Sequence, residues 1–287
     1  MHLPGASSGY PVARAHFDGR SDFIFSEIPP GSYILEVQLQ RATSCDTLMR
    51  DAEDIVTRRP VHVPADGLSD LPVLIDEGVS VSGRVEFLGS ISAPPEFPSY
   101  MIPVTEPQHV RDKLGSWEGS SPRFRFVGVE PGRYFMPFPD YGRQWFLQSA
   151  VSGGVDLAAE AIDVGPAGLD GVHIVLAARP SPISGRVVAP TGSPDPSVVA
   201  VFPADSRLWK EAHPYAARYR TATARGGVFR IGHLPPGSYL ATAVSDEFPT
   251  EWTSEDFLRA LAVSATRVTM SSQTPIEVEL PLRRLGR

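Results

Sequence analysis

The sequence predicts an all-β chain built of tandem sandwiches. Three observations carry that expectation. One stretch occurs three times, as Asp22 to Val37 (DFIFSEIPPGSYILEV), Arg123 to Phe138 (RFRFVGVEPGRYFMPF) and Val228 to Ala243 (VFRIGHLPPGSYLATA). Each copy opens with apolar residues at alternate positions (Phe23 and Phe25, Phe124 and Phe126, Phe229 and Ile231), the period of a strand with one buried face. The copies also lie one small domain apart, with 101 residues from Gly31 to Gly132 and 105 from Gly132 to Gly237.

Within each copy a Pro-Gly pair follows the alternating run, at Pro30-Gly31, Pro131-Gly132 and Pro236-Gly237. Proline pre-sets the first central position of a type II turn and glycine supplies the positive φ of the second, so each copy is expected to be a β-hairpin. A tyrosine two residues past each glycine (Tyr33, Tyr134, Tyr239) opens the returning strand.

In the first copy Pro11 to Asp18 reads as a strand, Gly19 to Ser21 as its turn, and Asp46 to Val56 as a short helix. Val61 to Pro64 and Leu71 to Ile75 read as closing strands around Gly67-Leu68. The second copy opens with Val79 to Phe87, whose Val79, Val81, Val85 and Phe87 alternate around Gly83, and closes with Val164 to Leu176. The third opens with Ile183 to Val188, then runs through a strand at Ser197 to Phe202, a loop at Pro203 to Pro214 and a strand at Tyr219 to Ala224. Thr253 or Ser254 is expected to cap a short helix through Leu261, and Ile276 to Leu282 closes the copy. The expected domains are 1–76, 77–178 and 179–287. The first lacks a Ser-Gly-Arg opening strand and is incomplete. By spacing that strand is expected ahead of Met1, which makes Met1 an internal or misassigned start within a longer exported protein or else leaves the strand to be donated by another chain.

A net charge of −7 argues against a nucleic-acid partner, which would want a basic face. Cys45 is the single cysteine, so no intrachain disulfide can form. No apolar run reaches the roughly 20 residues of a membrane helix, and MHLPGASSGY lacks the regions of a signal peptide.

Chemistry is hard to place on this chain. None of its seven histidines has a glutamate three positions on, as a zinc peptidase would want, and His173 and His233 read as structural. Gly5-Ala-Ser-Ser-Gly9 matches a nucleophile elbow but lies in a polar stretch without the flanking strand and helix that expose a strained serine. No catalytic, metal-ligating or cofactor-binding residue is therefore assigned. Tyr141, Trp145 and Phe146 form the leading candidate for a ligand-stacking cluster, with Trp209 and Tyr215 next. The competing reading is that the tryptophans cap the open ends of each core.

The pattern Ser-Gly-Arg-Val, then Gly-x-Phe-x-Ile-x-x-Leu-Pro-Pro-Gly-x-Tyr, then a closing apolar strand resembles the carboxypeptidase regulatory-like domain. The resemblance implies a prealbumin-type Greek-key sandwich, grouped with carbohydrate-binding-like folds, and covers nearly the whole chain. The third copy is also similar to the C-terminal end of large exported bacterial proteins, through Val201-Phe-Pro-Ala-Asp205 with Trp209, the LPPGSY segment and Asp256-Phe-Leu258. The family brings no catalytic residues to carry over. It implies a non-catalytic extracellular or cell-envelope spacer or binding module, with a glycan or another envelope protein as partner. The alternatives are the accessory region of a peptidase or other enzyme whose catalytic domain lies outside this chain, and an adhesin-like stalk. A stalk held by a Lys–Asn amide bond is excluded, because the chain has no asparagine.

Overall fold

Alternating apolar side chains give the chain its strands, and strands dominate the computed structural model. It describes residues 13–15, 22–39, 55–89, 100–104, 113–114, 116–117, 122–138, 145–178, 182–189, 197–213, 216–245, 248–271 and 274–284. The fold is all-β and sandwich-like.

In the first copy β1 (Gly31–Leu39) and β2 (Ile55–Val63) form an antiparallel pair, with Gly31 opposite Val63 and Tyr33 opposite Val61. Tyr33, Leu35, Val61 and Val63 bury one face of it. Phe23, Phe25, Ile28, Leu71 and Val73 pack against that face from segments outside any strand. The expected closing strand at Leu71 to Ile75 is therefore corrected: no neighbouring strand pairs with it among the described residues. The expected helix is corrected at its end, because Ile55 and Val56 belong to β2, where they lie opposite Leu39 and Gln38 of β1. Residues 46–54 lie outside the described residues, as do 11–12, 16–18 and the turn at 19–21. Ala13–Ala15, the described part of the first expected strand, is not in a sheet.

The second copy contains β3 (Val79–Leu88), β4 (Tyr100–Pro103), β5 (Lys113–Leu114), β6 (Ser116–Trp117), β7 (Arg123–Val129), β8 (Gly132–Phe135), β9 (Phe146–Ser152), β10 (Val155–Asp156), β11 (Ile162–Val164) and β12 (Leu169–Ala177). They make a six-stranded sheet of order β10-β9-β12-β3-β7-β6 and a four-stranded sheet of order β11-β8-β4-β5. Val81, Phe124, Phe126, Ile174 and Leu176 from the first sheet meet Met101, Tyr134, Ile162 and Val164 from the second in one core.

The third copy contains β13 (Ile183–Val188), β14 (Ser197–Pro203), a 3-10 helix (Ser206–Glu211), β15 (Arg220–Ala224), β16 (Val228–Ile231), β17 (Gly237–Val244), α1 (Glu255–Ala262), β18 (Thr266–Met270) and β19 (Ile276–Arg283). The strand order is β15-β14-β17-β19-β13-β16, with β18 on β17. Asp205 caps the 3-10 helix by accepting from the Arg207 N–H, and the Arg207 guanidinium holds its carboxyl down at about 2. β14 and β17 are buried on both faces, which accounts for the apolar run from Val198 to Pro203 in β14 and the largely apolar one from Tyr239 to Val244 in β17, with Thr242 buried among it. Their inner face meets β13, β16 and β19. Phe202, Leu240 and Val244 on the outer face are covered by Trp209, Trp252, Leu258 and Leu261.

The Pro-Gly motif is not a hairpin. β7 lies in one sheet of the second copy and β8 in the other, and neither β16 nor β7 pairs with the strand that follows its turn. In the second copy the motif is instead a corner that carries the chain from one sheet to the other, and in the third it joins two strands of one seven-stranded sheet that do not pair with each other. Gly31 and Gly132 do not adopt positive φ, so the type II turn is corrected too. The left-handed residue stands three positions before each proline, at Glu27 (φ 60°), Gly128 (64°) and His233 (67°). Holding a non-glycine residue there costs about 1–2 kcal/mol. The repeated tyrosine closes the corner. Its hydroxyl donates to the carbonyl four residues back: Tyr33 to Pro29 at 2.7 Å, Tyr134 to Glu130 at 2.7 Å and Tyr239 to Pro235 at 2.6 Å. Each such bond contributes about 0.5–1.5 kcal/mol.

The Ser-Gly-Arg landmark marks a close approach of two backbones. β3 runs parallel to β12 with Gly83 beside Val172, and β13 runs parallel to β19 with Gly185 beside Val278. A Cβ on Gly83 would stand 2.1 Å from the Val172 carbonyl oxygen, and one on Gly185 1.8 Å from that of Val278. Only glycine fits at either place.

Candidate functional site

A set of charged and aromatic groups meets where the second copy joins the third. β10 ends at Asp156, and the chain turns at once, with Ala159 and Glu160 donating to the Asp156 carbonyl at 3.0 and 2.9 Å. Asp156 Oδ1 accepts the Ala158 N–H at 3.0 Å, which fixes the carboxylate and leaves Oδ2 directed at the third copy. Arg218 supplies the partner. Its Nε donates to Asp156 Oδ2 at 2.6 Å, and its main-chain N–H donates to the Ala158 carbonyl at 3.0 Å. Ala217, the residue before it, is buried within the core of the second copy.

The same guanidinium also holds the corner of its own copy. Arg218 Nη1 donates to the Pro236 carbonyl at 3.0 Å and to the Tyr239 hydroxyl at 2.8 Å. Gly237 makes room for it, because a Cβ there would lie 2.9 Å from Nη1. Burial works against the Arg218 charge, but Tyr239 and Asp156 outweigh it and its pKa is raised. Burial pushes the Tyr239 hydroxyl up to about 12 even with the guanidinium beside it. Tyr239 is therefore a neutral donor that passes its proton bond on to Pro235.

Three further contacts surround this node. Arg133 of β8 pairs with Glu211 of the third copy and with Asp163 at 3.0 Å. The Phe135 ring stacks on His213 with centroids 4.4 Å apart, and Phe146 stacks on His233 at 4.5 Å. Burial lowers the His213 pKa, so the stacked ring is the neutral imidazole. Glu160, at the edge of the node, is raised by burial and then by Asp156. The arrangement offers an oriented ion pair, two flat ring stacks and a buried small residue. It is suited to holding two sandwiches at one angle.

Of the aromatic candidates read from the sequence, Phe146 belongs to this junction. Trp145 is 1% exposed and sits edge-on to Phe87 in the second core, with centroids 4.9 Å apart. Trp209 is 5% exposed, and its indole N–H donates to the Pro203 carbonyl at 2.8 Å. Both tryptophans thus present core-facing rings, and Trp209 covers the outer face of a sheet rather than an open end. Tyr141 and Tyr215 lie outside the described residues. His173 points from β12 toward Glu86 of β3, with Nε2 3.3 Å from Oε2. Among the described residues no three His, Cys, Asp or Glu side chains are grouped to hold a metal ion, and no helix is long and apolar enough to cross a membrane.

Asp156 and Arg218 were not visible as partners in the sequence, since 62 positions separate them and no motif links them. The tyrosines did leave a signal. A tyrosine kept at one offset in all three copies, never replaced by phenylalanine, points to work done by its hydroxyl.

No family model matches the chain, and no curated protein does. Among solved structures it is similar to the Bacillus anthracis TIE protein, at 11% identity and a TM-score of 0.24 over 90% of this chain and 42% of that one. It is also similar to the Streptococcal ancillary pilin, at 12% identity and 0.28 over 89% and 76% of the two chains. BcpA, the major pilin subunit of Bacillus cereus, is similar at 9% identity and 0.26 over 89% and 85%. The chain spans 42% of the length of the Bacillus anthracis protein. Likenesses of this size assign no role to any residue here.

Proposed function

We propose that this chain is a non-catalytic spacer of an extracellular or cell-envelope protein, in which tandem sandwiches are locked in series to present a neighbouring domain or partner at a fixed orientation. The observation that carries this reading is the junction. Arg218 ties Asp156 of one copy to Tyr239 and Pro236 of the next, with Ala217 seated in the core of the second copy. Flexible linkage of domains would need none of these contacts, and a rigid joint is what a spacer requires. The resemblance to carboxypeptidase regulatory-like repeats supports the placement outside the cytoplasm and favours a partner that is a glycan or another envelope protein.

The test is the relative orientation of the two copies in solution. Residual dipolar couplings measured on the full chain are expected to fit one alignment tensor for residues 79–177 and 183–283 together. Two independent tensors would overturn the spacer reading.

A further inference from the structure

We infer that the outer face of the second copy is a binding surface for an anionic polysaccharide, whose oxyanion groups are received by Arg84, Arg123 and Arg125. It gives the envelope module a class of partner, and rests on that reading for a partner outside the cell.

Strand alternation sets the three side chains on one side of the sheet. In β7 Phe124 and Phe126 are buried in the core, so Arg123 and Arg125 face outward and are exposed. In β3 Val81 and Val85 are buried, which leaves Ser82 and Arg84 on the outer face, with Arg84 exposed. Register then brings the strands' charges together. Arg84 stands directly opposite Arg123 in the antiparallel β3–β7 pair, and Ser82 stands opposite Arg125. Directly opposed side chains start about 4.5–5.5 Å apart. Positions two apart on a strand are separated by about 6.5–7 Å. On the other side of Arg84 lies His173 of β12, which completes a row across three strands.

Like charges directly opposite one another weaken a sheet. The third copy shows the same scaffold without that cost. Arg186, the counterpart of Arg84, lies between Val228 of β16 and Glu279 of β19, while Ser184 lies between Arg230 and Glu277. Two arginines there are matched by two glutamates on the adjoining strand. In the second copy Arg123 takes the place of the valine and His173 that of Glu279. The carboxylates near the trio are already engaged. Asp170 accepts from the Ser82 hydroxyl at 2.7 Å, and Glu86 Oε2 lies 3.3 Å from His173 Nε2. A chain of net charge −7 thus gathers three guanidinium groups on one face of one copy.

A guanidinium receives an oxyanion through two parallel N–H donors. Three of them on an open sheet hold a ligand by repeated contacts rather than by enclosure, which suits a polymer with an anionic group on successive units. Protein partners bring an apolar centre to an interface. The centre of this patch is Ser82 and the arginines, so a sugar chain, polar on every side, is the better match.

The test is titration calorimetry of the full-length chain with dextran sulfate, polygalacturonate, uncharged dextran and polyglutamate. Saturable binding to the first two is expected, weakening as salt rises, with none to dextran. Arg84→Gln with Arg123→Gln should weaken it by about tenfold or more. Arg186→Gln with Arg230→Gln removes the same charge from the third copy and should change it by less than about twofold. Arg123→Val, which reproduces the pairing of Arg186 with Val228, should also weaken binding while the melting temperature holds or rises, and it carries the test should the double variant not fold. Three outcomes would overturn the inference: no binding to either anionic polysaccharide, polyglutamate bound as tightly as they are, or equal losses in the two double variants. None of these touches the spacer reading, which the dipolar couplings decide separately.

Discussion

Arg218 and Asp156, on different sandwiches, make a 2.6 Å ion pair whose side chains are only 15% and 29% exposed. Partial burial makes the pair costly to break from one side. Arg218→Ala leaves Asp156 Oδ2, the Pro236 carbonyl and the Tyr239 hydroxyl each short of one bond. We expect a loss of about 2–4 kcal/mol, between the values for exposed and buried pairs. A double-mutant cycle with Asp156→Ala, read by chemical denaturation, should return a coupling of about 1 kcal/mol or more. Additive losses would mean that the pair does not join the copies energetically.

Trp145 gives the second prediction. As a core residue of the second copy, Trp145→Ala should destabilise it by about 3–5 kcal/mol. If Trp145 instead stacks on sugar rings, the same substitution would leave the melting temperature nearly unchanged and weaken binding on a glycan panel.

The glycines of the opening strands supply a third. Gly83→Ala and Gly185→Ala each place a methyl group against a main-chain carbonyl, and should cost about 1–3 kcal/mol or more. Gly232→Ala is the contrast, since nothing lies within 4 Å of its added Cβ. That variant should be neutral or stabilising by up to about 1 kcal/mol. Thermal melts of the three proteins decide the matter.

The fourth concerns pH. Burial lowers the His213 pKa below its ordinary 6.5, so the unfolded chain takes up this proton more readily than the folded one. The stability carried by the neutral His213–Phe135 stack is then complete above pH 6.5 and is lost as pH falls from there toward the folded pKa. Glu160, raised by burial and then by Asp156, acts in the opposite sense nearer its ordinary 4.5. Denaturation midpoints should fall between pH 7.5 and 5.5, and His213→Phe should flatten that slope. An unchanged slope in the variant would remove His213 from the explanation.

The sequence carried the strands well where alternation or a landmark was repeated. β13 was read at its observed limits, and β3, β14, β15 and β19 within a residue or so. What it could not carry was the partner of each strand. Alternation in Phe124 and Phe126 tells which face is buried, but a hairpin and a corner between sheets bury the same face. Pro-Gly favours a turn in either case, so only the pairing of β7 with β3 distinguishes the corner from a hairpin. Leu71 to Ile75 has the composition of a strand, and a strand requires a neighbour that composition does not reveal. At the junction, Phe146 was singled out for its ring, while Asp156 and Arg218 looked like two ordinary surface charges.

The parallel pairing of β3 with β12, and of β13 with β19, has a mechanical meaning. In each complete copy the first and last strands lie side by side and point the same way. Tension applied through the chain enters at the start of one strand and leaves at the end of the other. It therefore slides the two strands along each other in shear, loading all the hydrogen bonds between them together, where a hairpin geometry would let them open one at a time. A chain pulled from its two flanks would resist with both of these strand pairs in series. The backbone contact at Gly83 and Gly185 would sit at the centre of each clamp.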